Sequence, residues 1–110
     1  MPLSVSEQLA HAFVENKKNL DASMQSMCDA LMIDVAGLCV AARHTDYVRA
    51  TYKGSIEEGS CTVIGHIGGA NVAAAALING TATHGEDYDD TYEGGPIHAG
   101  AVVVPAMLAT

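Results

Sequence analysis

The side chains of this chain best suited to chemistry lie between residues 84 and 98. The run reads His84-Gly-Glu-Asp87-Tyr-Asp89-Asp90-Thr91, and His98 follows where an apolar segment begins. A carboxylate near a histidine is the usual means of moving protons, because an imidazole changes its protonation state near neutral pH. The run therefore indicates a site for proton transfer.

The charge of this region is one-sided. Residues 54–110 contain seven acidic residues and no Lys or Arg, the last basic residue of that kind being Lys53. Closely spaced carboxylates without a cation are costly unless a metal, a substrate or another part of the protein compensates them. The sequence accordingly predicts one half of a site whose positive groups come from elsewhere.

Two known motifs match the acidic run only in part. Asp87-Tyr-Asp89-Asp90-Thr91 matches the D-x-D-x-T pattern of haloacid-dehalogenase-type phosphatases, but their nucleophile follows a buried β-branched strand, and here an Ala-rich helix precedes it. A calcium loop counted from Asp87 has Tyr92 in place of its glycine and His98 in place of its glutamate. Both interpretations are therefore rejected.

Three other interpretations of the acidic run stay open to different degrees. A magnesium site built from spaced aspartates on a helix is possible, whereas zinc bound by His84, Asp87 and His98 has no recognised spacing. The third is a solvated acidic loop in which the histidines are incidental.

Composition limits the class of protein. At 110 residues the chain is one domain or less, and 49% hydrophobic with 16% charged residues is typical of a globular fold. A formal net charge of −8 argues against binding nucleic acid or an anionic membrane surface. We therefore expect neither as a partner.

The cysteines and the amino terminus bear on localisation. Cys28, Cys39 and Cys61 are an odd number without framework spacing, which predicts reduced thiols that act as small buried apolar side chains in a cytoplasmic protein. Residues 1–4 lack the features of a signal peptide, and the apolar run Ala30–Ala42 is too short to span a bilayer.

The periodicity of apolar residues predicts an all-α fold of about five helices with a Gly-rich connector. A capping box, Ser4 to Glu7, opens the first helix. Gly37, inside the second helix, suggests close approach of another helix. The expected segments are that first helix, a long helix Asp21–His44, a short helix Thr45–Tyr52, a connector Gly54–Gly69 with an extended stretch Cys61–Ile64, an Ala-rich helix Ala70–Thr83, and an apolar run Ala101–Ala109 weakened by Pro105.

The last apolar run stops at Thr110 without a cap or a polar turn. We expect the polypeptide to be the amino-terminal piece of something longer, or to be completed by another chain. Apolar surface after His98 also predicts self-association, for example as a homodimer.

A longer pattern resembles the signature of the MmgE/PrpD family, which includes 2-methylcitrate dehydratase, cis-aconitate decarboxylase and iminodisuccinate epimerase. It runs from Asn79-Gly80 through the acidic run to Thr91, then through a Gly-containing loop to His98. Three upstream segments fit the same family pattern: Asp34–Gly37, Thr62–Gly65 and Ala73–Ala76.

The resemblance carries implications for fold and site. It implies that residues 1–110 form part of an amino-terminal helical domain, that a carboxyl-terminal lid domain is absent, and that the site uses no metal and no cofactor. By position, Asp87, Thr91 and His98 match active-site residues of the family, whereas His84 and Asp90 match signature positions that we group with substrate binding, with a structural role as the alternative. The family usually has proline after this histidine, and here Ala99 stands instead.

The function implied is that of a cofactor-independent lyase acting on small di- or tricarboxylates. We expect a dehydratase of the 2-methylcitrate kind, as used in propionate metabolism, with an epimerase or a decarboxylase of the same family as alternatives. His98 is the choice for proton transfer, Asp87 could orient it or share the proton, and the Thr91 hydroxyl could bind a substrate carboxylate. A non-catalytic helical remnant or interaction module is the alternative from another class, and the isolated chain is expected to be inactive.

Overall fold

Five α-helices and one two-stranded antiparallel sheet form the part of the chain described by the structure, a computed structural model covering residues 2–16 and 21–110. The predicted all-α class is confirmed. The small sheet lies in the Gly-rich connector, where a brief extended segment was expected. In chain order the elements are α1 Val5–Asn16, α2 Ala22–Ala42, α3 Asp46–Ser55, β1 Glu58–Thr62, β2 Gly69–Ala70, α4 Val72–His84 and α5 Ala99–Leu108.

Side-chain caps set the starts of three helices. The Ser4 backbone N–H donates to the Glu7 carboxylate at 2.8 Å and the Glu7 N–H donates to the Ser4 hydroxyl at 3.3 Å, which confirms the capping box before α1. Asp21 accepts the backbone N–H of Met24 at 2.8 Å, and Asn71 caps α4 in the same way. These bonds satisfy amide groups that a helix start leaves without partners, so the boundaries follow from local sequence.

Helix α4 lies at the centre of the core and packs against α2, α3 and α5. Its small residues let neighbouring backbones approach closely, since a Cβ atom on Gly80 would lie 3.1 Å from the carbonyl oxygen of Ala101 in α5. The close packing expected of an Ala-rich helix is therefore confirmed. The largest buried side chains around it include Val35, Val48, Val63 and Ile78.

The amino-terminal third differs from this core. The apolar stripe of α1, which contains Leu9 and Phe13, is exposed, and α2 buries residues only in its carboxyl-terminal half. Two expectations for α2 are wrong. Among residues 2–16 and 21–110, no atom lies within 4 Å of a Cβ atom placed on Gly37, so the expected close approach of another helix is not found there, and the Cys28 thiol is exposed rather than buried.

Helix α2 is also longer than its uninterrupted apolar run. Its 21 residues are long and apolar enough to cross a membrane by length and composition, with a mean hydropathy of 1.4, although two aspartates, Asp29 and Asp34, lie within it. A mostly buried core helix of a water-soluble protein can meet the same criterion, but only 11% of this apolar window is buried, and the buried residues of α2 are Val35, Cys39 and Ala42.

Candidate active site

The acidic run forms a loop between α4 and α5, and α3 fixes its start. The Tyr47 hydroxyl of α3 donates to Glu86 at 2.9 Å. Gly85 lies directly against the Tyr47 ring, since a Cβ atom there would overlap the ring carbons. A larger residue where the chain leaves α4 would therefore displace the Tyr47 ring from its present position. Partial burial, and then the Glu86 carboxylate, raise the pKa of Tyr47, which keeps its phenol protonated as a donor.

The next turn places Asp87 in the left-handed region of backbone conformation, with φ at 58°. Asp87 is the one non-glycine residue with positive φ in the described chain. Aspartate tolerates this conformation better than most residues, and such backbone often occurs at functional sites. The turn leaves the Asp87 side chain 77% exposed, beside the histidine that follows the loop.

The loop returns to the core through Asp90. Its carboxylate accepts the backbone N–H of Gly100 at 2.9 Å, in the first turn of α5. A Cβ atom on Gly100 would overlap that same carboxylate oxygen, so this contact also requires glycine. The bond holds the start of α5, and with it His98, opposite the end of α4.

Four side chains meet as a result: His84, Asp87, Asp89 and His98, which we call the loop cluster. Asp87 Oδ1 lies 3.4 Å from Nε2 of His98. Asp89 lies on the other side, with one oxygen 3.3 Å from Nδ1 of His98 and both oxygens 3.2 Å from Nδ1 of His84. The two imidazole rings are 4.8 Å apart. The structure thus brings Asp87 and His98 together.

Asp89 is the member of this cluster that sequence reasoning did not select. Its side chain is fully buried, in contrast to that of Asp87. The loop is irregular, with Asp87 at positive φ, so no simple alternation along the sequence indicates which carboxylates face the histidines. Nothing in the residue types marked Asp89 as the buried one.

The remaining predicted site residues lie close by. The Thr91 hydroxyl is 3.5 Å from Nδ1 of His98 and also contacts the backbone carbonyl of Asp89. Asp90 is half-buried and engaged with Gly100, so it holds the loop in place. His84, half-exposed, pairs with Asp89. A substrate-binding role for Thr91, His84 and Asp90 stays a prediction.

A cleft of about 770 Å³ opens beside the cluster, between α3, α4 and α5. Both histidines and Tyr47 line its polar side, and small or apolar residues of α4 and α5 line the rest. This size suits a small organic ligand. No Lys or Arg is among the lining residues, so in this cleft the described part of the chain offers an anionic ligand hydrogen-bond donors but no Lys or Arg charge.

The loop cluster also has the make-up of a metal site. One ligand atom from each of its four residues lies within 4.8 Å of the others. Spacing along the chain argued against zinc, whereas the fold assembles two imidazoles and two carboxylates. That donor set suits zinc or a similar transition metal better than magnesium, which prefers oxygen alone.

Comparison with known proteins agrees with the signature in the loop. The profile of the MmgE/PrpD N-terminal domain matches residues 7–110. A cis-aconitate decarboxylase-like protein of Aspergillus oryzae is 26% identical over 110 residues, covering 96% of this chain. The chain spans 23% of that relative's length, or about a quarter. No solved structure matches.

Proposed function

The chain belongs to the MmgE/PrpD N-terminal domain family, and on that premise we propose that it supplies the proton-transferring half of a cofactor-independent lyase for small di- or tricarboxylates. The observation that carries the proposal is the contact between His98 Nε2 and Asp87 Oδ1, 3.4 Å long, at the edge of a cleft of small-molecule size. His98 is the group that transfers the proton.

Asp89 sets the state of that imidazole. The Asp89 carboxylate accepts a hydrogen bond from Nδ1–H of His98. This contact favours the tautomer of the neutral ring that carries its hydrogen on Nδ1 and its lone pair on Nε2. Nε2 is the nitrogen beside the exposed Asp87, where a substrate has access. Asp89 is therefore a positioning residue, and Asp87 shares the proton, accepting a hydrogen bond from Nε2 and orienting the ring once that nitrogen carries the transferred proton.

A dehydration fits these groups. His98 takes a proton from the carbon next to a carboxylate, the electron pair of that C–H bond forms a C=C bond, and the hydroxyl group on the neighbouring carbon leaves. His98, or Asp87 sharing its proton, delivers that same proton to the hydroxyl as it leaves, so the products are an unsaturated acid and water, and His98 is neutral again. The Thr91 hydroxyl, 3.5 Å from the ring, donates to a substrate carboxylate.

Decarboxylation is the second candidate, favoured by the name of the Aspergillus oryzae relative. There a C–C bond breaks, carbon dioxide leaves, and the electron pair left on carbon takes a proton from the imidazolium form of His98. The same pair serves both reactions, because each needs one proton moved next to a carboxylate-bearing carbon. An epimerase of the same family would use the pair to remove and replace a proton.

The cations for the substrate come from outside residues 1–110 in this proposal. The cleft lining has no Lys or Arg, and a substrate with two or three negative charges needs them. We assign them to a carboxyl-terminal lid domain or to another subunit of a cytoplasmic homo-oligomer. The exposed apolar residues Val102, Val103 and Met107 of α5 offer a surface for either.

The first test assays the 110-residue chain itself with 2-methylcitrate and with cis-aconitate. We expect no turnover of either, because the positive half of the site is missing. Dehydration or decarboxylation by this chain alone would refute the division of the site.

The second test uses the longer polypeptide or assembly that this proposal requires. His98→Gln is expected to lower kcat by roughly 100-fold to 10,000-fold, the range for removal of a general acid or base. His11→Gln, on the exposed face of α1, is the matched control and should leave kcat unchanged. Equal activity of the two variants would remove His98 from the reaction.

A further inference from the structure

A second polar region lies away from the cleft. Side chains from the end of α2, from α3 and from the loop between β1 and β2 line a cavity of about 350 Å³, which we call the cationic cavity. It shares no lining residue with the cleft. Its lining residues are Arg43, His44, Arg49, Tyr52, Lys53 and His66.

The concentration of positive charge there is unusual for this chain. The sequence has five Lys and Arg residues against 13 acids, and three of the five, Arg43, Arg49 and Lys53, line this one cavity. No acidic residue lines it. Within residues 2–16 and 21–110, no carboxylate lies at ion-pairing distance from any of the three. Asp46, one turn before Arg49 on α3, is likewise not paired with it.

His66 adds an unsatisfied polar group to the cavity. Its Nε2 atom is buried and has no hydrogen-bond partner. The ring stacks on Tyr52, with centroids 4.7 Å apart and planes 17° from parallel, so its orientation is fixed. Desolvation first, and then the charges of His44 and Arg43, lower the pKa of His66. Buried polar atoms without partners are uncommon, and each calls for an explanation.

The backbone holds His66 in this place. The turn between the strands has Gly65 at φ +83°, and a Cβ atom there would lie 3.1 Å from the Arg43 side chain. The turn therefore packs directly on Arg43, whose guanidinium donates to the carbonyl of Val40. The fold thus fixes Arg43 and His66 against each other, whereas His44, Arg49 and Lys53 are exposed side chains of the same cavity.

We propose that the cationic cavity binds a small anion carrying at least two negative charges on carboxylate or phosphate groups. Guanidinium groups match the planar geometry of both kinds of anion, and a lysine and two imidazoles add further donors. An anion would supply the negative charge that no acidic residue of the cavity supplies, and it would favour the protonated form of the His66 ring in the lining. The net charge of −8 argues against a nucleic acid as the ligand.

The test titrates the 110-residue chain with inorganic phosphate and with citrate at constant ionic strength, following the side-chain signals of His66 by NMR. Acetate, with one charge, is the comparison ligand. We expect saturable shifts at His66 with phosphate or citrate and weak, unsaturated shifts with acetate. The anion that binds more tightly shows whether the cavity prefers phosphate or carboxylate groups.

Two variants with the same change in net charge separate a site from general attraction. Arg49→Gln/Lys53→Gln should weaken binding by roughly tenfold or more, as expected when two charge-assisted contacts are lost. Gln8→Glu/Gln25→Glu, on exposed positions of α1 and α2, should keep the affinity of the parent chain. His66→Phe keeps an aromatic ring on Tyr52 and should weaken binding without unfolding the chain.

Three results would overturn the proposal. They are an absence of saturation with either anion, an equal loss in the two charge-matched variants, or saturable shifts confined to His84 and His98. None of these results depends on lyase activity, so the proposed function and the anion site can fail separately.

Discussion

The loop cluster and the cationic cavity are two polar regions that treat charge in opposite ways. In the loop cluster, buried Asp89 faces two imidazoles, and Asp90 is held by a backbone amide. In the cationic cavity, Arg43, Arg49 and Lys53 have no anionic partner in the described chain. The charges of the loop cluster are compensated by contacts within the fold, whereas the positive charges of the cationic cavity are not. Substitutions should therefore disturb the fold in the first region and change mainly ligand binding in the second.

The largest loss of stability is expected where the loop meets α5. Gly100→Ala places a methyl group against the Asp90 carboxylate and the Leu31 side chain, both of which it would overlap. We expect the free energy of unfolding to fall by about 2–3 kcal/mol, from overpacking and the loss of the Asp90 contact. Urea unfolding measures it. A loss no larger than that of an exposed alanine substitution would show that the loop is not held there.

Asp89 and Asp87 should separate a buried carboxylate from an exposed one. Asp89→Asn keeps the shape but replaces one buried acceptor oxygen with an amide NH2 donor facing the imidazole nitrogens, and should cost about 1–3 kcal/mol. Asp87→Asn, on a 77% exposed side chain, should change stability by no more than about 0.5 kcal/mol, since asparagine tolerates positive φ. Similar unfolding curves for both variants would contradict the assigned difference in burial.

A stabilising change is expected outside both regions. Gly37→Ala in the exposed interior of α2 meets no atom within 4 Å and should raise stability by about 0.5–1 kcal/mol, because alanine loses less backbone entropy in a helix. The measurement is the same urea unfolding. A decrease would indicate a close neighbour at Gly37 that the structure does not contain.

We expect the cationic cavity to make the stability of the chain depend on pH, through His66. The pKa of His66 is lowered in the folded chain, so below the ordinary range of histidine the unfolded chain binds more protons. Stability is therefore expected to fall as the pH drops from about 7 toward 5. His66→Phe should flatten this slope in Tm measured by circular dichroism.

Anions sharpen the same comparison. Phosphate should reduce the loss of stability at low pH, because it favours the protonated ring among Arg43, His44, Arg49, Lys53 and the stacked Tyr52. If the dependence of Tm on pH is the same in the His66→Phe variant and in the parent chain with phosphate as in the parent chain alone, groups other than His66 control the acid transition.

The smallest effect is expected from magnesium. The loop cluster offers two imidazoles among its four possible ligands, whereas Mg²⁺ prefers oxygen ligands and retains its water. Adding Mg²⁺ should leave the Tm of the chain unchanged, since an ion stabilises a protein only when it binds the native state. A rise in Tm that saturates with Mg²⁺ would favour the metal-dependent interpretation of the acidic run.

Local sequence predicted the helices well because their starts depend on neighbours along the chain. The capping box at Ser4 and the cap at Asp21 are contacts between residues three apart. The apolar stripe of α1 shows the limit of that reasoning, since periodicity gives the face of a helix but not the element that covers it. The stripe is exposed in this structure. The prediction that another helix approaches Gly37 was wrong for the same reason, because the local sequence does not determine the distance to a neighbouring helix.

The sequence by itself determined the residue types of the site and their order: a helix end, an acidic loop and a histidine before an apolar helix. It also determined that residues 54–110 carry a negative net charge, because the net charge follows from composition alone. Tertiary structure alone decided that Asp89 is buried between His84 and His98. It also decided that cations from α2 and α3 meet His66 from the strand loop. The physical reason is that burial and unpaired charge depend on which distant segments pack together, and in this chain the close packing of α4 against its neighbours sets both.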